Sequence, residues 1–125
     1  MTAPVWMNAV IGDFGRAAGL GGFALKERGA AALRFENGAS LRFEYTGTEL
    51  LMAMTKPSAD VKRLLALSHP KARYGFRIRT GILAKTHEAV IAVRIAERDV
   101  TLPHVSRVFE LLWRLTEEIG GAAWA

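Results

Sequence analysis

Two changes of hydrophobic period divide this chain of 125 residues, and they constrain its fold more than any single motif. Across residues 4–20 the apolar positions step by three and four. Trp6, Val10, Phe14 and Ala17, flanked by Met7, Ile11 and Ala18, lie opposite Asn8, Asp13 and Arg16. A helix turns every 3.6 residues, so this spacing gathers one apolar stripe. Pro4 fits the first turn, and Gly19, Gly21 and Gly22 supply the stop. From Phe23 the period drops to two. Phe23 and Leu25, then Leu33 and Phe35, then Leu41, Phe43 and Tyr45 alternate with Lys26, Arg34, Glu36, Arg42 and Glu44. Alternate residues of a strand face opposite sides, which predicts an antiparallel meander with one apolar face. Lys26-Glu27-Arg28-Gly29 and Asn37-Gly38 are its turns. Thr48–Thr55 is apolar on both parities, the mark of a more buried strand.

Lys56-Pro57-Ser58 breaks that run. Ser58 is placed to cap a short helix over residues 59–68, with Val61, Leu64 and Leu65 on one side and His69-Pro70 at its end. Period two returns in Tyr74, Phe76 and Ile78, alternating with Gly75, Arg77 and Arg79, and again in Val90–Ile95. A closing helix starts after Thr101, carries Val105, Val108, Phe109, Leu112, Leu115 and Ile119 on one side, and stops at Gly120-Gly121. Helix, three or four strands, helix, two strands, helix: this order predicts one α+β domain over residues 1–125, an antiparallel sheet and three helices in two layers.

Half of the residues are hydrophobic and 23% are charged, a balance that supports a packed core and excludes intrinsic disorder. Cysteine is absent, which removes disulfides, thiolate metal sites and thiol nucleophiles. No apolar run reaches the ~20 residues of a membrane span. The opening segment has no basic stretch and carries Asp13 and Arg16, so a cytoplasmic chain without membrane insertion is expected. The net charge of +5 is unevenly spread. Between Val61 and Arg94 there are eight Lys and Arg against Glu88 alone, which predicts a face that meets something acidic.

Reactive constellations are not apparent. His69, His87 and His104 are far apart and lack metal-ligand spacing. Ser106, His104 and Asp99 do not form a triad, since residues two apart on a helix diverge. Gly19-Leu20-Gly21-Gly22 follows a helix, whereas phosphate-binding loops precede one. Tyr74 and Phe76 half-match an RNA-binding strand, but they share parity with Ile78 and are expected to face apolar neighbours. Two classes remain: a domain that binds another polypeptide, and a basic nucleic-acid-binding domain.

Phe14-Gly15 through Gly19-Leu20, the strand pair around Gly29, the Asn37-Gly38 turn, Leu50–Met54 and the closing segment Leu102–Ile119 resemble, in order and length, the class I (CesT-like) chaperones of bacterial type III secretion. Two departures stand out. That family is often acidic, and the segment after its leucine-rich strand often reads like Ala-Pro-Leu where this chain has Thr55-Lys56-Pro57-Ser58. The basic balance resembles the YscB-like subunits, which pair with a different, acidic chaperone subunit to escort the secretion gatekeeper. The resemblance implies a non-catalytic dimer that needs no cofactor and holds an extended N-terminal segment of a secreted effector or gatekeeper. By position it implies a dimer side at Val61, Leu64, Leu65, Tyr74, Phe76 and Ile78. It implies client contacts at Phe23, Leu25, Leu33 and Phe35, and contact with an acidic partner at Arg77 and Arg79. The competing reading of each apolar candidate is ordinary core.

Overall fold

A computed structural model describes residues 2–19, 23, 25, 29–57, 62, 64, 76–83 and 85–120. Helix α1 (Val5–Ala17) is followed by strands β1 (Ala30–Arg34), β2 (Ser40–Tyr45), β3 (Glu49–Lys56), β4 (Ile78–Ile82) and β5 (Ala89–Ala96), a short 3-10 turn, and helix α2 (Leu102–Gly120). All strand pairs are antiparallel, in the order β1-β2-β3-β5-β4. The α+β expectation is borne out. Of the predicted helix over residues 59–68, Lys62 and Leu64 have helical backbone, and the rest lies outside the described residues.

Parity separates the two faces of the sheet. Leu41, Phe43 and Tyr45 of β2, Leu50, Met52 and Met54 of β3, and Ala89, Ile91, Val93 and Ile95 of β5 are buried on the inner face. Met7, Ile11 and Phe14 of α1 and Val105, Val108, Leu112, Leu115 and Ile119 of α2 join them in one core. Phe43 has no exposed surface, and burying a ring of that size contributes about 2–3 kcal/mol. Phe14 bridges the layers, with its ring centroid 5.7 Å from Phe43 and 5.3 Å from Phe109, both edge-on. The double-parity reading of β3 fits its place in the middle of the sheet, where even Ala53 on the outer face is 6% exposed.

Side chains fix the element ends. Thr101 Oγ1 accepts a hydrogen bond from His104 N at 3.3 Å and caps α2. Gly38 takes φ 88°, closing the three-residue loop Glu36–Gly38 between Phe35 and Ala39. Tyr45 OH donates to Glu97 Oε1 at 2.6 Å, tying the end of β2 to the 3-10 turn.

Two local expectations need correction. Phe23 and Leu25 belong to no strand. The Asn8 side chain, expected on the polar side of α1, instead accepts from Leu25 N at 2.9 Å and donates to Leu25 O at 3.3 Å. A side chain has taken the backbone groups that a neighbouring strand would have used. The strand expected to include Phe76 starts at Ile78, while Phe76 lies in a bend packed against the His104 ring of α2, centroids 5.4 Å apart. Tyr74 lies outside the described residues.

Candidate functional site

The sheet ends in two strands that each pair on one side only among the described residues: β1 with β2, and β4 with β5. Such an edge presents backbone donors and acceptors to any extended chain that approaches. At β1, Tyr45 N donates to Gly29 O at 2.7 Å and Phe35 N to Ala39 O at 2.8 Å. Antiparallel ladders alternate, so odd-numbered residues of β1 bond to β2, and Ala30, Ala32 and Arg34 aim their N–H and C=O groups away from it.

Apolar surface accompanies this edge. Phe35, half-buried at the end of β1, meets Trp113 edge-on at 5.0 Å and Phe109 at 6.1 Å, while Phe109 and Trp113 are 6.1 Å apart. Leu33 is half-buried on the same face. Phe23 is half-buried with its ring 5.7 Å from Phe43, and Leu25 is 5% exposed. Of the four client-side candidates, Leu33 and Phe35 thus flank the β1 edge, Phe23 lies against the inner face of β2, and Leu25 is core. Trp113 and Phe109 extend this patch and were missed as site residues. Their signal was a four-residue spacing on α2 that reads equally well as core.

The β4 edge differs. Ile78 is half-buried, but Ile82 is 48% exposed and Leu83, just beyond the strand, 43%. Phe76 is half-buried against α2. Leu64 is 2% exposed and belongs to the core of its own chain. Val61, Leu65 and Tyr74 lie outside the described residues. Arg77 and Arg79 are exposed and line a hollow of about 390 Å³ with Glu49, Arg94 and Asp99, in which Arg94 Nη1 lies 3.4 Å from Glu49 Oε1. Negative charge already sits among these arginines, so the basic excess of this segment is partly answered within the domain.

His87 occupies the β4–β5 turn with φ 58°, and His104 packs on Phe76. His69 lies outside the described residues. Among the described residues, no cluster of His, Asp and Glu could hold a metal ion, and no helix is long and apolar enough to cross a membrane. The Tyr45 hydroxyl is pushed above its usual value of 10.0, first by its hydrogen bond to the Glu97 carboxylate, then by burial and by repulsion from the same charge. It is a structural tie rather than a poised acid.

Solved structures share this architecture. A chain in the ExsC–ExsE complex superposes with a TM-score of 0.72 at 15% identity, covering 95% of this chain and 97% of that one. A chain in the ExoT–SpcS complex from Pseudomonas aeruginosa gives 0.68 at 14% identity, with 94% and 99% covered. The Yersinia pestis type III secretion chaperone SycH, in complex with a stable fragment of YscM2, gives 0.68 at 13%, with 90% and 98% covered. No curated protein sequence matches the chain. Comparison with protein families matches residues 6–120 to the type III secretory system chaperone SycN. The secretion-chaperone resemblance is therefore borne out, and the nucleic-acid alternative has no support. The chain belongs to the SycN family of type III secretory system chaperones.

Proposed function

We propose that this chain acts in the bacterial cytoplasm as a non-catalytic escort, holding an extended N-terminal segment of a secreted effector or gatekeeper protein. The observation that carries the reading is the β1 edge. Outward-aimed backbone groups of Ala30, Ala32 and Arg34 lie beside the half-buried Leu33, Phe35, Phe109 and Trp113. Backbone pairing gives an added strand its affinity, and neighbouring apolar side chains receive its alternate residues. The three solved structures above are all of complexes, which supports a binding role for the shared fold.

The opposite edge is the proposed subunit side. Phe76, Ile78, Ile82 and Leu83, with Val61, Leu65 and Tyr74, would meet a second subunit, and Leu64 would support that surface from within. Arg77 and Arg79 would face acidic residues there, whether the subunit is a second copy or a different, acidic chaperone. Complementary charge speeds encounter and disfavours wrong pairs. The test is co-expression with secreted proteins of the same bacterium, followed by purification and limited proteolysis. The expected result is a complex in which an N-terminal client segment is protected. A purified, folded chain that protects no segment of any of them sinks the reading.

A further inference from the structure

Strand β1 begins Ala30-Ala31-Ala32, and these three alanines leave a notch of about 510 Å³ that is otherwise lined by Arg42 and Glu44 of β2. The register explains why the two charges reach the edge. On the outer face, Ala30 pairs with Glu44, Ala32 with Arg42, and Arg34 with Ser40. Ala30 and Ala32 stand between the charges and the edge, and a methyl group screens neither. Arg42 and Glu44 are both exposed.

A strand added at this edge would lie two strands from β2, roughly 9.5 Å away at the usual spacing. A long charged side chain on its outer face can span that distance over an alanine and meet Arg42 or Glu44. Over a leucine or phenylalanine it could not. We infer that Arg42 and Glu44, exposed by Ala30 and Ala32, read the charge order of the client strand, with Arg34 as a third reader at the edge itself. The inference rests on strand addition at β1 and goes beyond it, because it names the client's chemistry. Antiparallel pairing matches every other pair in the sheet. In that direction the client's outward side chains pass Arg34 first, then Ala32 with Arg42 behind it, then Ala30 with Glu44. The fitting client therefore reads acidic, acidic, basic at every second position, with apolar residues between them facing Leu33 and Ala31.

The test uses two synthetic strand peptides of identical composition, one with outward positions Glu, Glu, Lys and its twin with Glu, Lys, Glu, so that the pair differs only opposite Arg42 and Glu44. Each is titrated into the isotope-labelled chain while the amide signals of Ala30, Ala32 and Arg34 are followed. Opposite-charge cross-strand pairs are individually weak, so the expected preference for the first peptide is about 5- to 10-fold, shrinking at high salt. The double variant R42E/E44R keeps the exposed positions polar and should abolish or invert that preference. Equal binding of the two peptides, or a preference unchanged in the double variant, overturns the charge readout and leaves strand addition standing. Failure of both peptides to shift the β1 amides of the folded chain overturns strand addition at β1 and the readout with it.

Discussion

The two edges of the sheet finish in opposite ways. Strand β1 carries small residues, but its flank is closed by the chain's own rings, since Phe35 lies against Trp113 and Phe109 of α2. Strand β4 carries isoleucines, yet Ile82 and the following Leu83 stand open to solvent. Size alone would have assigned the sticky edge and the quiet one the same way, but for a different reason. What separates them is which end helix α2 covers, since it packs on Phe35 at the end of β1 and on Phe76 ahead of β4, leaving Ile82 and Leu83 uncovered. Where it packs, apolar area is half hidden and the backbone groups are the offer. Where it does not, the side chains themselves are.

The largest expected effect separates core from surface near the β4 side. Leu64→Asp places an uncompensated charge at a position 2% exposed, and should cost about 3–5 kcal/mol in thermal or denaturant unfolding. A folded variant that has merely lost its partner would show that Leu64 is interface instead. Next comes the closed flank of β1. Phe35→Ala removes both ring contacts to α2 and should destabilise by about 1–3 kcal/mol, with weaker client capture in the same variant. Unchanged stability would mean the aromatic patch is idle in the free chain. Asn8→Ala strips Leu25 of both its hydrogen bonds and should cost about 1–2 kcal/mol by urea unfolding. The smallest effect on the fold belongs to the open edge. Ile82→Asp with Leu83→Asp should move stability by no more than about 0.5 kcal/mol while abolishing subunit pairing in light scattering. Pairing that survives both charges would place the subunit side elsewhere.

Much of this architecture was legible because period reports the type of element. The stripes Trp6–Ala17 and Val105–Ile119 and the alternation Leu41–Tyr45 each landed on the expected element, but on α1 the buried face is Met7, Ile11 and Phe14, while Trp6 and Ala17 are exposed. The failures share a cause, which is that pattern does not reveal which body covers a residue. Ala30–Ala32 carried no alternation, as alanine is indifferent to burial, and so the start of β1 went unread. Phe23 and Leu25 alternate like a strand, but the backbone of Leu25 is held by Asn8 from a helix. Leu64 sits on the stripe assigned to the subunit side, and only its exposure shows that its own chain buries it. Arg42 and Glu44 read as routine solvent-facing charges until the register set them behind alanines.

The Asn8 clamp has a kinetic corollary. A segment stitched into a ladder opens only when neighbouring rungs break together, whereas Leu25 is held by one amide side chain through two bonds. Freeing its backbone groups demands a single rotamer change on α1, so its amide proton should exchange with solvent well before that of Met52 in the middle of the sheet. The backbone of Leu25 thus hangs on a single side-chain clamp, and whatever displaces this residue must undo Asn8 and draw a leucine out of the core.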